Sequence, residues 1–127
     1  MTRAKIETIA PSFIVTNVSQ TIAHYRKLGF EVMYQQPDDD PFFAIVHRDA
    51  VMIFVKSSGD APMPNSSRNP AVKWDAYLYV PDPNALAAEF AGNEVTFHKP
   101  LGETSEKLLG FEVRDPNGYV LFFGRPN

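Results

Sequence analysis

Cysteine is absent from this chain. Disulfides, thiolate metal ligands and cysteine nucleophiles are excluded together. Long apolar runs are missing too: the longest are a handful of residues, against the ~20 that a membrane helix requires. The Lys and Arg residues are scattered rather than clustered, and the net charge is −3, so neither nucleic acid nor a membrane is an expected partner. The opening stretch MTRAKIETIAPSF has no apolar block before a small-residue cleavage site. No secretion signal is expected, and the expected location is cytoplasmic. Glycine is sparse and isolated, at 29, 59, 92, 102, 110, 118 and 124. These positions suit turns and caps, and no glycine-rich phosphate loop or Gly-x-Ser-x-Gly elbow is formed.

What is present suits one globular domain spanning 1–127. The 44% hydrophobic content is enough for a core, and 21% charged residues suits a solvated surface. Ala10 to Thr16 reads as a strand, and Asn17 is placed to cap a helix over Val18 to Leu28, which Gly29 ends. Phe30 to Gln36 alternates as a strand should, PDDDP breaks it, and FFAIVHR and AVMIFVK flank a tight connection at Arg48-Asp49. A Ser-, Pro- and Asn-rich stretch at 57–71 reads as a linker.

After the linker the order repeats. Val72 to Val80 is a predicted strand, Asp82-Pro83 a helix start with Leu86 and Phe90 on one face, NEVTFHK a short strand, and LLGFEVRD and GYVLFFG a closing hairpin. Between the last two strands, Asp115-Pro116-Asn117-Gly118 is strong turn chemistry. The halves at about 6–56 and 72–125 therefore share one βαβββ plan, an α+β architecture of two modules. One helix covers one sheet face, so the other face should meet the partner half or another subunit, and the concave surface between them is the expected ligand site.

Two stretches, VTNVSQTIAHYRKLGFEV and FEVRDPNGYVLFFG, resemble the first strand–helix unit and the closing hairpin of the vicinal oxygen chelate superfamily. That superfamily contains glyoxalase I, extradiol dioxygenases, fosfomycin-resistance enzymes and bleomycin-resistance proteins. The resemblance covers nearly the whole chain. Length, the HRDAVMIFV hairpin and the Ser/Pro linker are most similar to the bleomycin-resistance proteins.

The enzymes of this superfamily hold a divalent metal on the inner face of four strands. The resemblance carries their ligand positions onto Ala10, a residue near Ile53, Asp75 and Phe122. Only Asp75 among these can donate a lone pair, and a transition-metal site needs about three protein ligands. No metal, cofactor or catalytic residue is therefore expected. His24, His47 and His98 lie in three different elements, none at a family ligand position, and Asp38-Asp39-Asp40 reads as a solvated loop.

Strand parity puts Asp75, Tyr77 and Tyr79 on one face and Ala76, Leu78 and Val80 on the other. The expected binding cleft is Ser12, Ile14, Ile53, Asp75, Tyr77, Tyr79 and Phe122, with Trp74 and Phe42 or Phe43 at its mouth. Such a surface suits stacking on a flat ligand, with a carboxylate able to receive a cationic group. The bland alternative is that these aromatics are core or subunit interface.

The leading expectation is a metal-free binding protein of bleomycin-resistance type that sequesters an aromatic or amphipathic compound, an antibiotic being one such compound. The resemblance further implies a homodimer with clefts at the subunit boundary and an N-terminal strand exchanged around a proline, a role for which Pro11 is placed. The alternatives are a metal-dependent lyase, isomerase or dioxygenase, and a non-catalytic dimeric interaction domain. Unlike the family's drug binders, this chain has no tryptophan before the final hairpin, where it reads SEKLLGF.

Overall fold

Two asparagine- or aspartate-capped helices, each laid on one face of a four-stranded sheet, organise the computed structural model, which describes residues 2–127. In chain order the elements are β1 (Ser12–Ile14), α1 (Val18–Lys27), β2 (Glu31–Gln36), β3 (Phe43–Arg48), β4 (Val51–Lys56), α2 (Asn65–Arg68), β5 (Ala76–Tyr79), α3 (Pro83–Gly92), β6 (Lys99–Glu103), β7 (Leu108–Arg114) and β8 (Val120–Pro126). The sheets are ordered β1-β4-β3-β2 and β5-β8-β7-β6. In each, the first strand runs parallel beside the last, and antiparallel hairpins complete the sheet. The repeated βαβββ plan is thus realised.

The helix starts are chemically equivalent. Asn17 Oδ1 accepts from the Gln20 amide at 2.8 Å, and Asp82 Oδ1 accepts from the Ala85 amide at 3.1 Å, each satisfying an amide that the helix leaves unpaired. Val18, Ile22 and Tyr25 bury one stripe of α1, while Ala87 and Phe90 bury the corresponding stripe of α3. Beneath α1 lie Phe13, Val15, Ala44, Val46, Ile53 and Val55, and beneath α3 lie Phe111, Val113, Leu121 and Phe123. All belong to a single apolar core.

The halves are joined through these helix-side surfaces. Phe13 stacks on Tyr119 with centroids 4.3 Å apart, and the Tyr119 hydroxyl donates to the Ile14 carbonyl at 2.7 Å. Arg48 holds Glu89 at 2.7 and 3.0 Å while also donating to the Leu28 carbonyl at 2.8 Å. Asp115 is buried inside the closing turn, where it accepts from the Tyr25 hydroxyl and from the amides of Asn117 and Tyr119.

Three local expectations are corrected. The linker contains a short helix, α2, whose Ser67 hydroxyl bonds to the Pro64 carbonyl. The strand expected over Val72 to Val80 begins only at Ala76. NEVTFHK is not a strand. Glu94 takes a positive φ of 62°, the Val95 amide bonds back to Phe90, and Val95 and Phe97 pack on the core. Their alternation marks a loop pinned at two apolar points. Pairing with β7 starts at the His98 amide, and Pro100 sits in the edge strand β6 at an irregularity between Lys99 and Gly102, where the ladder is already interrupted.

Candidate functional site

The face of the second sheet turned away from α3 carries an aromatic wall. Register pairs Tyr77 with Phe122 and Phe122 with Glu112, so the three share that face. Phe122 can lie flat there because its neighbours lack side chains. A Cβ at Gly110 would meet Phe122 Cζ at 2.5 Å, and one at Gly124 would meet Cε2 at 2.6 Å. Trp74 stacks on the Phe122 ring at 4.4 Å and meets Tyr77 edge-on at 5.5 Å. Tyr77 in turn stacks on Tyr79 at 4.3 Å. The series runs from Phe122, 1% exposed, to Tyr79, 74% exposed, so the wall is anchored at one end and open at the other.

The first sheet has a second apolar face. Ser12 pairs with Phe54, and Phe54 with Ile45. Tyr34, Phe43 and Phe54 form a chain of rings at 6.1 and 5.8 Å. Ile14, Met33, Tyr34 and Phe42 are exposed.

Ile53 does not belong to this face. It pairs with Val46, is 1% exposed and packs in the core beneath α1. A shift of one residue reverses the side of a strand, and Phe54 occupies the position that the sequence reading gave to Ile53. Nor do the sequence-predicted residues form one cleft within a chain. Ser12, Ile14 and Phe43 lie with one ring cluster, Trp74, Tyr77, Tyr79 and Phe122 form the other, and no ring of one touches a ring of the other. The modules meet through their helix sides, which leaves both aromatic faces outside the junction.

Asp75 is occupied. Its Oδ1 accepts from the Asn65 amide at 2.7 Å and its Oδ2 from the Val120 amide at 2.8 Å. It ties α2 to the start of β8, so the role of free carboxylate handle expected from the sequence does not fit it. The carboxylate set among the rings is Glu112, 4% exposed, whose Oε2 accepts from Trp74 Nε1 at 2.9 Å. His98 Nε2 stands 3.9 Å from Oε1. The sequence reading missed Glu112, although FEVRD places it opposite the core pair Phe111 and Val113.

Glu112 lies between two clefts on this face. One of about 270 Å³ is lined by Trp74, Phe122, Lys99, Glu103 and Glu106, and a wider one of about 1000 Å³ reaches His24, Lys27, His98 and Arg114. Two buried polar atoms have no hydrogen-bond partner among the described residues, His24 Nε2 and the Tyr77 hydroxyl. Burial, assisted by Lys27, lowers the His24 pKa from 6.5 to about 4. Burial likewise raises Tyr77, with Tyr79 adding to it.

The donor set does not fit the divalent metal of the superfamily's enzymes. Ala10 and Phe122 offer no lone pair, the neighbours of Ile53 are Met52 and Phe54, and both oxygens of Asp75 are engaged by amides. Among the described residues no group of three or more His, Asp or Glu side chains is arranged to hold a metal ion, and no helix is long and apolar enough to cross a membrane.

No family model and no curated protein matches the sequence. Solved structures do match the fold. The bleomycin-binding protein of Streptomyces verticillus, solved with copper(II)-bleomycin, is 24% identical with a TM-score of 0.72, covering 98% of this chain and 100% of that one. A second bleomycin-binding protein, complexed with bleomycin, is 14% identical with a TM-score of 0.73 over 96% of this chain and 100% of that one. TioX from Micromonospora sp. ML1 is 16% identical with a TM-score of 0.72 over 94% and 98%. At the level of fold, then, the two-module resemblance read from the sequence holds, and this chain has the architecture of the bleomycin-binding proteins.

Proposed function

We propose that this chain is a metal-free small-molecule binding protein that sequesters a planar aromatic or amphipathic compound without breaking a bond in it. The observation that carries the reading is the graded aromatic wall, Phe122–Trp74–Tyr77–Tyr79, fixed at its buried end and accessible at Tyr79. Offset and edge-on rings at these spacings present flat π surface at low conformational cost, the feature that a planar ligand needs. The copper(II)-bleomycin complex formed by the Streptomyces verticillus protein supports the same class of use for the fold.

In this reading a homodimer supplies the opposite wall. The first-module face of one copy, with Ser12, Ile14, Phe42, Phe43 and Phe54, closes over the second-module wall of the other. Small-molecule sites are concave and bury most of their ligand, which a single open wall does not achieve.

Thermal shift across a panel of planar aromatic compounds tests the reading, with Trp74 fluorescence as a second readout. A true ligand raises the melting temperature with concentration, changes the emission of the single tryptophan and is recovered unaltered at one equivalent per subunit. If no member of the panel shifts either signal, or a compound is converted in a reaction that chelators abolish, the proposal is wrong.

A further inference from the structure

Glu112 is 4% exposed as a residue, and the one hydrogen bond of its carboxylate is the donation from Trp74 to Oε2 at 2.9 Å. A carboxylate offers about four acceptor positions, and Oε1, which takes no hydrogen bond and is not among the fully buried unpartnered atoms, opens on the cleft. Here the nearest basic side chain, His98, has its Nε2 3.9 Å from Oε1, outside hydrogen-bond distance. Asp75 and Asp115 are differently placed. Each of those side chains accepts from at least two donors within the fold.

Glu112 is therefore a carboxylate held in place by one indole and open to another donor. Its setting is acidic on the Trp74 side: the cleft of about 270 Å³ has Glu103, Glu106 and Glu112 against Lys73 and Lys99. Lys73 already leans toward Glu106, at 3.9 Å.

We infer that Glu112 is the polar anchor of the aromatic wall and selects a planar ligand bearing a cationic nitrogen, such as a protonated amine, amidine or heterocycle. This inference rests on the sequestration reading above and gives its ligand a charge. The ring lies against the Trp74 indole, which Phe122 backs, and the charged N–H donates to the acceptor positions of Glu112 that the fold leaves free. Trp74 serves twice, as a surface for the ring and as the donor that fixes the carboxylate.

The test uses calorimetric titration of the intact protein at neutral pH with 9-aminoacridine, a planar cation, and acridine-9-carboxylate, a ring of matched size with an anionic group. The cation is expected to bind about tenfold or more tightly than the anion, the scale of one charge-assisted hydrogen bond. Glu112→Gln keeps an acceptor for Trp74 and should erase that preference while the variant still binds a ring. Equal affinities in the wild-type protein, or a preference for the anion, would overturn the anchor even if the variant fails to fold. An unchanged cation preference in a folded Glu112→Gln would overturn it as well. Binding of both acridines without discrimination leaves the sequestration reading standing, whereas binding of neither, together with a silent aromatic panel, removes both.

Discussion

Asp75 shows how one side chain can look functional in a sequence and be structural in the fold. It follows the only tryptophan and precedes two tyrosines, yet its oxygens each take a backbone amide, from Asn65 and Val120. Replacing it with alanine strands both donors, at roughly 1–3 kcal/mol for each one left unsatisfied. Chemical denaturation should therefore find Asp75→Ala strongly destabilised, while Asp75→Asn, which keeps one acceptor oxygen, loses less. Equal stability of Asp75→Ala and wild type would contradict the structural role. His24 makes a different residue-scale prediction. Its folded pKa is lowered from 6.5 to about 4, first by burial and then by Lys27. Between those values the unfolded chain holds more protons at this residue than the folded one. The contribution of neutral His24 is thus fully present above pH 6.5 and is lost as the pH falls toward about 4. In urea titrations over that range, His24→Gln should show a shallower decline than wild type. Parallel curves would contradict the burial of a neutral imidazole.

At the scale of elements, the hairpin of β7 and β8 controls the wall. Gly110 and Gly124 face each other across it, and a Cβ at either would strike the Phe122 ring and a facing backbone carbonyl, that of Phe123 for Gly110 and of Leu109 for Gly124. Overpacking of this kind costs about 1–3 kcal/mol, and no flexible side-chain end is available to absorb it. Gly110→Ala should lower the unfolding free energy by that amount and also alter the near-ultraviolet circular dichroism of Trp74, because the displaced Phe122 ring carries the indole. A stability loss with an unchanged aromatic signal would mean that the wall does not depend on these glycines. The sequence revealed the hairpin readily, since Asp-Pro-Asn-Gly and the flanking apolar runs state a turn between two strands. The glycines themselves were legible only as turn and cap residues, because what they accommodate is a ring on the same face, a fact of cross-strand register. The same limit explains Ile53 and Glu112. Alternation tells which residues share a face, but not which face a helix covers, so one slipped position puts Ile53 in the cleft. A charged residue in an apolar strand reads as solvated until its cross-strand partner, Phe122, is known. Helix starts fared better: the caps at Asn17 and Asp82 depend on contacts three residues away, and such local signals survive in a linear reading.

For the whole molecule, the disposition of apolar surface is the strongest constraint. The helix sides of both sheets are consumed in one core, while Ile14, Met33, Tyr34 and Phe42 on the first module are 39–51% exposed and Tyr79 on the second is 74% exposed. Exposed apolar surface gathered into patches marks an interaction site. A two-fold assembly satisfies it economically, because an isologous interface sets one patch of each copy against the complementary patch of the other. In the proposed homodimer the first-module face covers the second-module wall twice over, which both hides the exposed rings and encloses two ligand sites. Sedimentation velocity at micromolar concentration should therefore give a dimer. Ile14 is outside the monomer core, so Ile14→Asp should leave the far-ultraviolet circular dichroism intact, shift the boundary to the monomer and weaken aromatic-ligand binding in step with dissociation. A monomeric wild-type protein that still binds a planar ligand tightly would mean that the single aromatic wall suffices. A stable dimer that Ile14→Asp leaves untouched would place the interface on another surface.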